Sequence, residues 1–161
     1  ICVMKVKFKL FNVSRNGVKM SSEQTIQGLD EVVDVSFSLP YDPHKDLRTA
    51  LNNLGNYIHN KMNVKVPFTQ ITGYRISPCG NTDLITIYYS QKSFDNVSHN
   101  GESFCKCSKF SRQVITSINK KLNQVEAEIC NYLRGKRDNR TVRQKNELSD
   151  KSNLKKQSKR S

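Results

Sequence analysis

The sequence contains no tryptophan, and its seven glycines stand singly along 161 residues. Enzymes that bind ATP or dinucleotides cradle phosphates with glycines at fixed short spacings, such as G-x-x-x-x-G-K-[ST] and G-x-G-x-x-G. Neither spacing occurs in this chain. An ATP-driven or NAD-dependent enzyme is therefore not expected, and no bound cofactor is predicted.

Long apolar runs are also missing. No stretch approaches the roughly 20 apolar residues of a membrane-spanning helix. Residues 1–11 alternate lysine with apolar residues, unlike the apolar segment of a signal peptide. The five cysteines are an odd number in a chain long enough to fold without disulfides, which favours reduced thiols. We therefore expect an intracellular protein of the cytoplasm, the nucleus or a virus particle, without membrane contact.

Acidic residues are scarce: 14 Asp and Glu stand against 27 Lys and Arg, for a net charge of +13. From Arg134 onward eleven basic residues face three acidic ones, which gives this segment a charge of +8 (11 − 3). Spaced lysines and arginines on a flexible segment neutralise phosphates and release counterions. The pattern favours a segment that binds DNA or RNA over a solvated extension that only keeps the protein soluble.

The first part of the chain alternates apolar and polar residues. Apolar residues alternate with lysines over residues 4–10, which predicts a strand with one face on a core. Asn16-Gly17 then signals a hairpin to a second strand that begins near Val18. Alternation recurs over residues 33–39 and predicts a third strand, which Pro40 ends.

From Asp46 the apolar period changes from two residues to three and four, which predicts a helix to about Met62. Residues 65–76 and 84–90 are rich in β-branched and aromatic residues. They are predicted to form a second hairpin with a longer turn at residues 77–81.

A loop is predicted over residues 93–108, which lack any apolar period. A second helix is predicted to begin near Ser111 and to end by Gly135, with an apolar stripe of Val114, Ile118, Leu122, Val125, Ile129 and Tyr132. The order βββ-α-ββ-α indicates an α+β fold. It predicts an antiparallel or mixed sheet of about five strands with two helices on one face. No internal repeat is visible.

Few strong hydrophobes follow Gly135. They are too few to offset the entropy lost when a segment becomes ordered. We therefore predict a globular domain at residues 1–134 and a disordered basic tail at residues 135–161.

The predicted nucleic-acid-binding residues are the lysines of the first strand and the cations of the tail: Lys5, Lys7, Lys9, Arg134, Lys136, Arg137, Arg140, Arg143, Lys145, Lys155, Lys156, Lys159 and Arg160. A lysine row on one strand face either guides a phosphate backbone or blocks edge-to-edge aggregation. Tyr88 and Tyr89 must point to opposite faces of their strand, so one of them either stacks on bases or packs at the core and its rim.

Cys105 and Cys107, with Cys79 and His99, are the residues that most resemble a metal cluster. Structural zinc sites pair ligands two to four residues apart and repeat the pair, and the repeat is missing here. No metal site is predicted.

Catalytic patterns are equally weak. Asp83 precedes a strand that ends in Lys92, but a metal-dependent nuclease needs a carboxylate where Ser90 stands. Nucleophilic catalysis lacks support as well, because no Ser or Cys partner stands at a recognisable offset from His44, His59 or His99. The chain is not expected to be an enzyme.

These patterns together favour a non-catalytic nucleic-acid-binding protein that uses a basic tail and a lysine-lined strand. Two alternatives stay open. One is a structural or interaction subunit of a virus particle, a ribonucleoprotein or a CRISPR-type complex, with a protein partner on the second helix beside Cys130 and Leu133. The other is a small inhibitor of a host enzyme encoded by a mobile element.

Overall fold

The computed structural model describes residues 6–25, 28, 32–66, 69–92 and 97–148. The elements run in the order β1 (Phe8–Ser14), β2 (Gly17–Thr25), β3 (Val32–Leu39), β4 (Tyr41–Pro43), α1 (Lys45–Lys61), β5 (Thr69–Cys79), β6 (Thr82–Lys92), β7 (Ser98–Lys106), α2 (Arg112–Leu133) and β8 (Arg137–Thr141). A 3-10 turn at Cys107–Lys109 follows β7, and residues 142–148 form a third helix, α3. The predicted α+β class is confirmed, with more strands and one more helix than expected.

Six strands form one antiparallel sheet in the order β3-β2-β1-β5-β6-β7. Each set of three consecutive strands is a meander that a long helix follows, so the fold contains two βββα halves. The first half is β1–β3 with α1, and the second half is β5–β7 with α2. The halves meet at the antiparallel pair of β1 and β5. A two-fold rotation about an axis between these two strands would relate the strand order of one half to that of the other. The sequence shows no repeat, whereas the architecture does.

A β-bulge changes the predicted face of the first strand. The register shifts between Phe8 and Leu10, so that Phe8 and Phe11 are buried while Leu10 is half-buried on the opposite face. A bulge inserts one residue and thereby reverses the alternation beyond it. The prediction that Phe8 and Leu10 share one face is therefore wrong.

The loop predicted over residues 93–108 is also wrong for its described part, because Ser98–Lys106 is β7 and pairs with β6. Its inward side chains are small, so the apolar alternation is weak. A Cβ at Gly101 would come within 2.5 Å of the Tyr89 ring. The ring of Tyr89 thus occupies the space that a large side chain at position 101 would need. A large apolar residue there would have made the alternation of β7 visible in the sequence.

The two predicted long helices are confirmed, and both begin at a capping side chain. His44 Nδ1 accepts a hydrogen bond from the Asp46 amide at 3.1 Å, and Ser111 Oγ accepts one from the Val114 amide at 3.3 Å. Both helices bury their apolar stripes in one core cluster on the same face of the sheet. None of the helices described here is long and apolar enough to cross a membrane.

Gly55 sets how closely α1 approaches the sheet. A Cβ at this position would lie 2.6 Å from the Ile71 side chain on β5. Glycine weakens a helix by roughly 1 kcal/mol relative to alanine, but here its lack of a side chain permits the close packing. About one turn earlier in α1, the Asn52 side chain accepts a hydrogen bond from the Ile71 amide at 2.9 Å, beside a register shift in β5.

The predicted disorder of the tail does not hold for residues 135–148. Residues of β8 pair with β4, with Tyr41 opposite Thr141, and Val142 at the start of α3 is buried. Backbone pairing and one buried apolar side chain, together with the contacts described below, thus order a segment that is poor in hydrophobes. We call residues 135–148 the tail root. Residues 149–161 lie outside the described part of the chain.

Candidate nucleic-acid interface

A buried carboxylate holds the tail root to the first half. The Asp42 side chain is 3% exposed, and it accepts Arg48 of α1 at 2.6 Å and Lys145 of α3 at 2.8 Å. Lys145 also lies 2.8 Å from Asp138. A buried charge that loses its partner is strongly destabilising. Lys145, a predicted phosphate ligand, is therefore engaged in the fold.

Lys136 joins three elements at the start of the tail root. Its Nζ lies 2.8 Å from Asp46 of α1 and 3.3 Å from Glu128 of α2. The hydrogen bond from Lys136 lowers the pKa of Asp46, and the same bond raises the pKa of Lys136. Both groups face solvent, which screens their attraction.

Arg137 is held by aromatic rings rather than by a carboxylate. Its guanidinium carbon lies 4.3 Å from the centre of the Tyr41 ring and 5.7 Å from that of Tyr132. The buried Tyr132 hydroxyl donates to the Tyr41 carbonyl at 2.6 Å, and burial raises the pKa of Tyr132 to about 12. Such cation–π contacts stabilise the docked segment.

The remaining cations of the tail root are exposed. Arg140 pairs with Asp138 at 3.4 Å, and Arg143 pairs with Glu147 at 3.3 Å in an i, i+4 arrangement. The hydrogen bond from Lys145, followed by that from the Arg140 amide, holds the pKa of Asp138 well below its usual range. Exposed pairs of this kind exchange partners readily, so Arg140 and Arg143 remain able to contact phosphates.

Arg134 lies at the C-cap of α2 and is exposed, and the described residues place no carboxylate within 4.0 Å of it. The other predicted tail cations, Lys155, Lys156, Lys159 and Arg160, fall outside the described residues. The structure thus separates the described tail cations into three that contact the domain, Lys136, Arg137 and Lys145, and three others that are exposed, Arg134, Arg140 and Arg143.

The described lysines of the predicted row, Lys7 and Lys9, do not share one strand face. Lys7 precedes β1, and its amine lies 3.7 Å from the Cys130 sulfur on α2. Lys9 sits in the bulge of β1 and pairs with Glu23 on β2, and this hydrogen bond raises the pKa of Lys9. Lys5 lies outside the described residues. Lys7 and Lys9 therefore point to different neighbours and present no common basic face.

The sheet has an open face opposite the two long helices. Its residues follow from the registers of the six strands, and one row across all of them consists of Ser36, Ser21, Leu10, Arg75, Thr86 and Phe104. The next row toward the β1–β2 turn consists of Ser38, Lys19, Asn12, Gly73, Tyr88 and Glu102. The helices cover the other face, where the core residues of the strands lie.

The two tyrosines of β6 separate as expected for adjacent strand residues. Tyr89 points inward, where its ring meets His59 edge-on at 5.6 Å between centroids. Tyr88 is half-buried on the open face, opposite Glu102 of β7. Phe104 lies on the same face and is 58% exposed. Sequence reasoning missed Phe104 because β7 was assigned to a loop; the alternation Ser103-Phe104-Cys105-Lys106 was the available signal.

His59 and Ser103 form a hydrogen-bonded pair between the halves, with 3.0 Å between Nε2 and Oγ. Both residues are buried, and burial lowers the pKa of His59. Within the described residues, no carboxylate hydrogen-bonds to the His59 ring. The pair therefore serves as a polar contact within the core.

The Cys and His residues considered for a metal do not converge. His99 pairs with Gln91 and Cys105 with Ile85 at separate positions of β7, six residues or about 20 Å of strand apart. Asp83 and Lys92 likewise lie toward opposite ends of β6. Across residues 6–25, 28, 32–66, 69–92 and 97–148, no group of three or more His, Cys, Asp or Glu side chains could hold a metal ion.

The apolar stripe of α2 was predicted to offer a partner surface. It is instead buried in the domain core, from Ile115 to Tyr132, and Val114 is half-buried. Leu133 at the end of the helix is 38% exposed. The stripe itself gives no reason to expect a protein partner.

No protein-family model, no curated protein and no solved structure matches this chain. Two features of the described residues bear on function. The tail root is docked on the domain through Lys136, Arg137 and Lys145. The open face of the second half presents aromatic and basic side chains to solvent.

Proposed function

We propose that this protein binds nucleic acid without catalysis and that phosphate contacts by its basic tail supply most of the affinity. The carrying observation is the distribution of charge around the tail root. Within the root, Lys136, Arg137 and Lys145 contact the domain. Residues 149–161 add five basic residues against Asp150, a charge of +4 (5 − 1).

The proposal gives the root cations and the cations of residues 149–161 different roles, although the sequence pattern alone does not distinguish them. The root cations stabilise the docking of β8 and α3, and their removal weakens the fold. Lys155, Lys156, Lys159 and Arg160 are assigned to phosphates, with Arg134, Arg140 and Arg143 as nearby exposed contacts. We call residues 149–161 the phosphate arm.

The test is a titration of labelled single- and double-stranded DNA and RNA across a salt series. It compares the full chain, a chain ending at residue 148, and a variant with Lys155, Lys156, Lys159 and Arg160 changed to Ala. Each lost phosphate contact reduces the steepness of log K against log salt by about 0.7 to 0.9. We expect tight, salt-dependent binding by the full chain, and weaker binding with a shallower slope for both altered proteins.

The matched control removes the same charge elsewhere by changing four exposed lysines, Lys45, Lys65, Lys109 and Lys120, to Ala. We expect this variant to retain most of the affinity. An equal loss in both quadruple variants would assign binding to net charge rather than to the phosphate arm. Absence of binding by the full chain at low salt would overturn the proposed function.

The two alternatives make a different prediction. A structural or interaction subunit and an inhibitor of a host enzyme both require a stoichiometric protein partner, in place of salt-dependent binding to nucleic acid. Failure of the full chain to bind any nucleic acid, together with recovery of one protein in fixed ratio, would favour these alternatives.

A further inference from the structure

We infer that the open face of β5–β7 binds the bases of a single-stranded nucleic acid by stacking on Phe104 and Tyr88. This inference rests on the proposed nucleic-acid binding and adds a second contact surface to the phosphate arm. Phe104 lies opposite Thr86, and Tyr88 lies two residues further along β6. The two aromatic side chains are therefore diagonal neighbours on one face, a relation that places them about 7–8 Å apart.

These aromatics differ in exposure: Phe104 is 58% exposed, and Tyr88 is half-buried. Phe104 is on β7, the outer strand of the sheet, and no strand in the described part of the chain pairs with its other side. Gly73 of β5 lies opposite Tyr88 and has no side chain. A Cβ there would overlap the Phe11 carbonyl oxygen. The backbone of β1 thus excludes a side chain at position 73, so no side chain of β5 stands directly opposite Tyr88.

Charges on the same face suit a phosphate backbone. Arg75 lies in the row of Phe104, and Lys106 pairs with Leu84 one row further on. Both cations are exposed. Glu102, opposite Tyr88, is the one carboxylate in the two rows given above, and carboxylates accept hydrogen bonds from base amino groups. Aromatic planes, cations and one acceptor are the groups that a base and its phosphates require together.

The same charges argue against a second copy of this chain as the occupant. A second copy would present the same face, on which Arg75 and Lys106 outnumber Glu102, and like charges at an interface disfavour association. A polyanion meets them with opposite charge. Because the bases of a duplex are stacked on one another, only a single strand can offer base faces to a flat aromatic surface.

The experiment uses the full chain with three single substitutions: Phe104→Ala, Tyr88→Ala and the control Val32→Ala. Val32 is also an exposed apolar strand residue, at 61%, but it belongs to β3 in the first half. Thermal melting followed by circular dichroism confirms that each variant is folded. Affinity is measured for labelled 12-nucleotide DNA and RNA single strands and for duplexes of the same sequence, at one salt concentration.

Loss of one base-stacking aromatic is expected to weaken single-strand binding roughly 5- to 150-fold. Phe104→Ala should show this loss while its duplex affinity stays within twofold of the unaltered chain, and Val32→Ala should change neither. Ultraviolet crosslinking with mapping of the attached peptide supplies a second readout. We expect crosslinks at Phe104 or Tyr88.

The outcomes separate this inference from the proposed function. If the unaltered chain binds no nucleic acid, both fail. If it binds while Phe104→Ala and Tyr88→Ala keep full single-strand affinity, or if crosslinks fall only in residues 149–161, the face plays no part and the phosphate arm alone remains. A sedimentation shift from dimer to monomer on Phe104→Ala would show that a second copy covers the face, which also overturns the inference.

Discussion

The two βββα halves share one strand order, yet they present different surfaces to solvent. On the first half the open face carries small hydroxyl side chains, among them Ser21, Ser36 and Ser38. On the second half the equivalent face carries Phe104 and Tyr88, with cations beside them. The inward faces of both halves contribute to a single apolar core. Packing therefore constrains the inward positions, whereas the outward positions are free to differ.

The halves also differ in how they are completed. In the first half, β4 lies between β3 and α1 and pairs with β8, and its Asp42 holds Lys145. The second half passes from β7 through a 3-10 turn directly into α2. The tail root thus packs on β4 and α1 of the first half, although it follows the second half in sequence and also contacts α2 through Lys136 and Arg137. One half holds the basic segment in place, and the other offers the accessible aromatic face.

The largest expected effect concerns the buried carboxylate of the first half. Asp42→Ala removes the hydrogen bonds that the buried carboxylate accepts from Arg48 and Lys145, each worth about 1.5–3 kcal/mol, so we expect a loss of about 3–5 kcal/mol in the free energy of unfolding. Urea denaturation measures this change. Asp34→Ala, an exposed carboxylate on the open face of the same half, is the control and should stay within about 0.5 kcal/mol. Similar losses of stability in both variants would contradict the prediction that the contacts of Asp42 stabilise the fold more than an exposed carboxylate does.

An intermediate effect is expected where the halves pack together. Gly55→Ala on α1 places a methyl group against Ile71 of the second half, and overpacking of this kind costs about 1–3 kcal/mol. Thermal or urea unfolding reports the loss. Asn53→Ala on the exposed side of the same helix is the control, because alanine favours a helix without meeting a neighbour. Stabilisation by Gly55→Ala would contradict this prediction and show that the Ile71 side chain moves aside without loss of stability.

The smallest effect is a pH dependence at the His59–Ser103 contact between the halves. Burial lowers the pKa of His59 below its ordinary value of 6.5, so the unfolded chain takes up a proton first as the pH falls. Stability is then full above about pH 6.5 and declines as the pH falls from there toward the lowered pKa.

Unfolding curves at pH 7.5 and pH 5.5 measure this decline. His59→Gln should reduce the difference between the two pH values, because glutamine does not titrate. His99→Gln, which alters an exposed histidine, should leave the difference unchanged. A pH dependence that is the same in all three proteins would place its origin in other groups.

Sequence patterns predicted the elements that large apolar residues mark. Both long helices and β3 were found because Leu, Ile, Val and Phe repeat there at a clear period, and the β1–β2 hairpin was found from Asn16-Gly17. The class of fold and the inward position of one β6 tyrosine followed from the same patterns.

The missed features depend on small residues or on distant contacts. β7 escaped because Gly101 and Ser103 face inward, and the bulge near Lys9 reversed a face without any glycine or proline to mark it. The docking of Arg137 and Lys145 depends on Tyr41 and Asp42, about a hundred positions earlier. The sequence therefore predicted a stacking residue at Tyr88 or Tyr89 and did not identify Phe104.

The contact between Asp42 and Lys145 spans 103 positions of the chain. Loop closure over such a distance costs more entropy than the hairpin contacts within each half, so the contact is expected to form late in folding. During synthesis on the ribosome the first half emerges well before its last strand partner, β8. Its completion must await the synthesis of the second half and of β8, and until then the edge of β4 and the carboxylate of Asp42 are open to solvent and to chaperones.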